Sequence, residues 1–194
     1  MSEPMLLGET TRLRAIEPGD AARAYRWVND REVTEYLALR YPMTMQAERD
    51  WAEAASKANS YTNAQFAIEV AATAEHIGNC GLQEGSTLHR TAELGVMIGA
   101  KEQWGRGYGF DALRTLLAFG FRDLNLRRVH LDVFAPHTRA IALYERLGFE
   151  HEGRFPAAYR GRGYYLDTLR MGIDRARFDA LYGAAEEVGD VPRG

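Results

Sequence analysis

Cysteine is almost missing from this chain: of 194 residues only Cys80 carries a thiol. No internal disulfide can form, which excludes a cross-linked secreted scaffold. An excess of charge of one sign is missing too. Lys+Arg number 24 and Asp+Glu 27, a formal net charge of -3, so the balance advertises neither a nucleic-acid nor a membrane surface. The opening Met1-Ser2-Glu3-Pro4 has neither the basic start nor the apolar core of a signal peptide, and the cytoplasm is the expected compartment. No Pro-, Gly- or Ser-rich linker interrupts the chain, and one domain is expected over residues 1–194. The five histidines, His76, His89, His130, His137 and His151, are scattered without metal-ligand spacing, so no metal is expected. Cys80, between Asn79 and Gly81 in an apolar run, reads as a buried inert thiol rather than a nucleophile.

With 46% hydrophobic residues, the chain has the material for one sizeable core, and its pattern alternates between strand and helix. Thr11 to Ala15 reads as a short strand, and Asp20 caps a helix carrying Ala24, Trp27 and Val28. A second helix is predicted from Met45 to Lys57 with Trp51 on its buried side. Gln65 to Val70 and His76 to Gln83 read as an antiparallel pair, followed by a strand from Ala92 to Ile98. Phe110, Leu113, Leu117, Phe121 and Leu124 then recur at helical spacing. Arg128 to Phe134 alternates, with Val129, Leu131 and Val133 on one face and His130, Asp132 and Phe134 on the other. Ala140, Ile141, Tyr144 and Leu147 stripe a further helix stopped by Gly148. Phe149 to Tyr159 and Tyr164 to Ile173 close the sheet around a Gly161-Arg162-Gly163 turn, and a last helix from Arg175 to Leu181 leads into a polar tail. The expected class is α/β or α+β, a mixed sheet with helices packed on it.

The most informative stretch is Gln103-Trp104-Gly105-Arg106-Gly107-Tyr108-Gly109-Phe110, where alternating glycines stand between a strand and a helix. Unpaired amides and the positive end of the helix dipole converge there, and a backbone without Cβ atoms admits a phosphate closely. Gly107-x-Gly109-x-x-Ala112 with Asp132 about 20 residues on satisfies a loose dinucleotide fingerprint. The antiparallel pair upstream and the long Gly99-to-Trp104 connection count against it. Arg106-Gly107-Tyr108-Gly109-Phe110 also begins like an RNA-recognition octamer, but helical periodicity follows where that motif needs a strand.

A strand holding Glu93, a Gly107-x-Gly109 helix start, a strand to Asp132 and Leu143-Tyr144-Glu145-Arg146-Leu147-Gly148-Phe149 together resemble the GCN5-related N-acetyltransferase (GNAT) superfamily. Thr11-Arg12-Leu13-Arg14, Trp104 to Gly109 and Tyr164-Tyr165-Leu166-Asp167 are similar to the branch of the ribosomal-protein RimJ/RimL acetyltransferases. The resemblance covers residues about 8–175. It implies the GNAT fold, a mixed, mostly antiparallel sheet of about seven strands with acetyl-CoA between two splayed strands. It further implies that backbone groups of Met97, Ile98 and Gly99 pair with the pantetheine arm and that the amides of Gly105, Arg106, Gly107, Tyr108, Gly109 and Phe110 hold the diphosphate. Trp104 stands where the family pattern has Gln or Arg, and His137 where it often has Asn; the imidazole either keeps the cofactor contact or simply faces solvent.

The implied activity is acetyl transfer from acetyl-CoA to a primary amine in a ternary complex. Such chemistry needs a base for the ammonium, a donor for the developing oxyanion and an acid for the leaving thiolate. Tyr144 matches the acid, against the alternative that it only packs the core. Glu93 and Asp132 compete as base, against direct attack by an already neutral amine; His130 reads as a sheet-surface residue. The oxyanion donor is expected to be the amide of Met97 or Ile98. A protein N-terminal α-amine is the favoured acceptor by branch resemblance. A small-molecule amine (polyamine, amino acid or antibiotic) is the alternative, and a non-catalytic acyl-CoA-binding domain stands behind both. Residues 38–60 and the Tyr159-to-Tyr164 loop are expected to line the acceptor site, and a homodimer is admitted.

Overall fold

The computed structural model describes residues 6–39, 41–161 and 163–183. Met1 to Pro4, Arg162 and the polar tail lie outside the described residues. One sheet of eight strands organises the chain: β1 (Leu6–Leu7), β2 (Thr11–Ala15), β3 (Ala64–Val70), β4 (His76–Ser86), β5 (Thr91–Ile98), β6 (Arg128–Phe134), β7 (Glu150–Arg160) and β8 (Tyr165–Asp174). Their order is β1-β2-β3-β4-β5-β6-β8-β7. Every neighbouring pair is antiparallel except β5 and β6. The two-residue β1 is the strand the sequence did not announce, since two residues are too short to show a period of two.

The helices are α1 (Ala21–Val28), α2 (Met45–Ala55), α3 (Tyr108–Arg122), α4 (Thr138–Leu147) and α5 (Arg175–Tyr182). None among the described residues is long and apolar enough to cross a membrane. Helix α3 is the central one. Its Leu113, Leu116, Leu117 and Phe121 are fully buried with Ile68, Leu82, Leu94, Val129 and Leu131 of the sheet, a burial of about 1.5–3 kcal/mol for each large side chain. The opposite face of β3 carries Ala67, which packs with Ala21, Ala52 and Ala55 of α1 and α2. Trp51, expected inside, is only partly buried. Small alanines let α2 approach the sheet closely, and the indole is left at the margin.

The strand alternation expected for β6 holds: Val129, Leu131 and Val133 are buried, whereas His130, Asp132 and Phe134 face the other way. Gly148 ends α4 in the left-handed conformation at φ 102°, the position where a residue without Cβ avoids strain. The fold therefore matches the expected class, with eight strands in place of about seven.

Candidate functional site

The parallel pairing of β5 with β6 runs for only three rungs, Thr91↔Arg128, Ala92↔Val129 and Glu93↔His130. Beyond Glu93 the strands part. Residues 94–98 and 131–134 continue as strand without a ladder between them, so the β5 edge keeps unused backbone groups that must find other partners. The Gly99 amide donates to the Ile77 carbonyl at 2.9 Å, and antiparallel alternation then turns Met97 toward β4 and Leu94, Val96 and Ile98 toward the gap. Gly99 itself makes room for Trp27, whose ring lies 2.0 Å from where a Cβ would stand. Of Met97, Ile98 and Gly99, only Ile98 thus turns its peptide groups to the gap. Its carbonyl already accepts from Trp104 Nε1 at 2.8 Å, leaving its amide free for another acceptor.

At the mouth of the gap the glycine run winds into α3. Gly105 and Gly107 adopt φ 76° and 87°, a region closed to most side chains, and neither has an atom within 4 Å of a built Cβ. Gly109 differs. It lies inside the first turn of α3, with Leu143 and Ile98 at ordinary contact distances of 3.6 and 3.9 Å from a built Cβ. Among the described residues no group accepts from the amides of Gly105, Arg106 or Gly107. Those of Tyr108, Gly109 and Phe110 open the helix, with no carbonyl one turn below them. A fan of free donors at a helix start, floored by open space, fits a diphosphate.

Helix α4 braces this loop through two contacts that no local pattern reveals. The Arg139 guanidinium stacks over the Trp104 ring at 4.5 Å, and that of Arg146 over Phe110 at 4.1 Å. Tyr144, on the same helix, is buried, with its ring 5.9 Å from that of Phe149. Burial pushes its phenol up to about 12, and its hydroxyl bonds to no described residue. His137 precedes α4 and stacks on Tyr36 at 4.4 Å, so its ring does not stand free in solvent. Burial, followed by the Arg139 charge, lowers its pKa.

Glu93, His130 and Asp132 share the sheet face opposite α3. The two carboxylates are not equivalent. Asp132 is gripped by Arg170 through two bonds of 2.8 Å, a bidentate pair that occupies both of its oxygens. The Glu93 side chain makes no hydrogen bond among the described residues, and the nearest ring is that of His130, whose Nε2 stands 3.9 Å from Oε2. Burial first, then the charges of Glu84 and Asp132, raise the Glu93 pKa, with Arg170 opposing. A raised carboxylate with free oxygens is what a general base requires.

A cavity of about 560 Å³ opens between residues 31–39 and the β7–β8 turn, with Glu35, Leu37, Leu39, Tyr159, Tyr164 and Leu166 in its walls. The Tyr159 ring packs at a tilt of 38° on that of Phe134, centroids 4.4 Å apart, two residues beyond Asp132 on β6. Tyr159, Arg160, Gly161, Gly163 and Tyr164 of the expected loop line this cavity, but among the described residues of 38–60 only Leu39 does; residues from 31 to 37 take the remainder of that wall. Cys80 is buried, its thiol pushed far up by desolvation. Among the described residues no three His, Cys, Asp or Glu side chains group as metal ligands.

Comparison with known proteins bears on the family and the fold. The family model of the acetyltransferase (GNAT) domain matches residues 11–150. The uncharacterised N-acetyltransferase p20 of Bacillus licheniformis is 30% identical over 169 residues, 87% of this chain and 94% of its own. Spermidine N(1)-acetyltransferase of Vibrio cholerae is 30% identical over 168 residues, 86% and 94% of the two chains. The crystal structure of the Vibrio cholerae spermidine N-acetyltransferase in complex with CoA and spermine superposes with a TM-score of 0.77 at 28% identity, covering 87% of this chain and 98% of that one.

Proposed function

The chain belongs to the GNAT acetyltransferases, and from that premise we propose that it transfers the acetyl group of acetyl-CoA to the amine of a small molecule, of which a polyamine is the first candidate. The likeness to a spermidine acetyltransferase along 86% of the chain carries the acceptor class. It outweighs the similarity to the RimJ/RimL branch, on which the expectation of a protein N-terminal α-amine rested. The latter acceptor becomes the second reading.

In this reading the amides of Gly105 to Phe110 hold the diphosphate, and Ile98 presents its amide to the gap. Glu93 takes the proton from the arriving ammonium, directly or through a water, so that the neutral amine can attack the thioester carbonyl. The Ile98 amide is placed on the strand where the oxyanion develops. Tyr144 returns a proton to the departing sulfur as the C–S bond breaks, and burial keeps the phenol in its protonated form until then. Asp132, already bound to Arg170, holds the far side of the cleft rather than accepting a proton.

Thiol release from acetyl-CoA, measured against spermidine, spermine, aminoglycosides, amino acids and peptides with free N-termini, tests the proposal, with mass spectrometry locating the acetyl group. Turnover with the small amines and none with the peptides is expected. Acetylation confined to peptide N-termini would move the acceptor back to the second reading.

A further inference from the structure

The last rung before β5 and β6 part sets two titratable side chains, Glu93 and His130, side by side, and among the described residues neither is held by an arginine. On one side Arg170 of β8 holds Asp132. On the other, Arg128 of β6 is bound to Glu152 of β7, and this pair lies over Gly172, the register partner of His130 on β8. A Cβ at Gly172 would lie 2.4 Å from the Glu152 carboxylate and 2.6 Å from the Arg128 guanidinium, so the glycine admits the ion pair. Between these brackets stand Glu93 and His130, joined by strand register, with side chains 28% and 21% exposed.

Resting on the reading of Glu93 as base, we propose that His130 is its proton-relay partner, a positioning residue that takes from Glu93 the proton removed from the amine and passes it to solvent. The ammonium N–H bond breaks and the proton goes to a Glu93 oxygen. That O–H then breaks as the proton moves to His130 Nε2, and the imidazolium releases its Nδ1 proton to water. Glu93 is left ionised and the ring neutral, reset by exchange with solvent. At 3.9 Å the two groups exceed hydrogen-bond length, so the transfer takes a small rotation of either side chain or one water between them.

The surroundings suit a neutral ring that accepts and releases. Burial first, then Arg170 and Arg128, lower the His130 pKa, while Asp132 and Glu152 oppose. Facing Glu93 are Glu84 from β4, Asp132 from β6 and Arg170 from β8. The two groups are therefore pushed toward each other, the carboxylate up and the imidazole down, which is the condition for easy exchange of a proton between them. Val129 and Leu131, buried on the opposite face, hold the strand in place whatever stands at His130.

The test has one arm in binding equilibria and one in rates. The His130 ring is titrated by NMR in the wild type and in Glu93→Gln; loss of the neighbouring negative charge should lower its midpoint by about half a pH unit. In His130→Gln, kcat/KM on the plateau should fall about tenfold and its acidic limb should move to lower pH, because Glu93 then titrates alone. His130→Asn, which places an amide nearer the strand, should behave alike. An unmoved His130 midpoint, or a pH profile of His130→Gln superposing on that of the folded wild type, would overturn the relay. Refusal of every amine by the wild type would sink the acceptor assignment instead, and the NMR midpoints would still decide the pair.

Discussion

Tyr144 separates chemistry from packing by a single atom. Its ring is buried and its hydroxyl has no partner among the described residues, so Tyr144→Phe removes a group that the fold does not use. The melting temperature should stay level or rise, while turnover should fall about 10- to 1000-fold. Unaltered turnover with lowered stability would leave Tyr144 as core alone. The two carboxylates yield a parallel contrast. Glu93→Gln should lower kcat/KM about 100-fold, whereas Asp132→Asn should cost less than about tenfold, because Arg170 already occupies both Asp132 oxygens. A larger loss at Asp132, read by steady-state kinetics, would exchange their roles. At Gly107, φ 87° supplies the argument rather than crowding. Gly107→Ala should destabilise by about 1–2 kcal/mol and weaken CoA binding in calorimetry, whereas Gly109→Ala, inside a helix, should leave stability nearly unchanged.

Among elements, β1, β2 and α3 are joined through one carboxylate. Asp111 accepts from the amides of Glu9, Thr10 and Thr11 and from both threonine hydroxyls, tying the first strands to the helix whose N-terminus opens on the site. Burial alone would raise the Asp111 pKa, but these hydrogen bonds outweigh it and lower it. A depressed carboxylate stabilises fully above its unfolded pKa of about 3.9 and loses that contribution as the pH falls through its folded value. Denaturation of wild type and Asp111→Asn should therefore differ by a constant amount at neutral pH, and the difference should shrink below about pH 4. A difference independent of pH would mean that the ionised form adds nothing. Most of these elements were legible because their signals are local: Val129, Leu131 and Val133 repeat every second residue, and Gly148 follows an apolar stripe. What was hidden is long-range. Nothing near Asp132 announces Arg170, 38 residues on, and nothing in Trp104 announces Arg139. The splay of β5 from β6 is a failure of pairing, invisible in either strand alone and reached only through the family resemblance. The identity of the base was equally out of reach, because what separates Glu93 from Asp132, the burial of the one and the arginine that holds the other, is set by the fold.

For the whole molecule the open choice is the acceptor, and proton affinity links it to the fold. An α-amine, with a pKa of about 7.7–8.0, is partly neutral near pH 7, while a polyamine nitrogen near 10.4 is almost wholly protonated. The sequence offered no strong base, which favoured the α-amine. Burial and the charges of Glu84 and Asp132 change that balance by raising Glu93, so the folded protein has a better base than an exposed glutamate. The cavity wall is more restrained. Arg31 and Arg160 stand against Glu32 and Glu35, and Lys101 already holds Glu32 at 2.8 Å, so these described side chains do not form the dense acidic lining that would seize a polycation by charge alone. Tyr159, Tyr164, Leu37 and Leu166 can instead bury a methylene chain. We therefore expect spermidine to be acetylated with a kcat/KM that rises from pH 6 to 9 more steeply than that of a peptide α-amine, since its neutral fraction keeps growing through that range. Its KM should change less than about threefold between 50 and 300 mM salt, because a cavity that holds the chain by apolar burial leaves salt little charge to screen even as the Debye length falls from about 14 Å to about 6 Å. Initial rates over that grid of pH and salt decide the matter. A KM that climbs tenfold with salt would mean that an acidic surface, rather than this cavity, gathers the substrate.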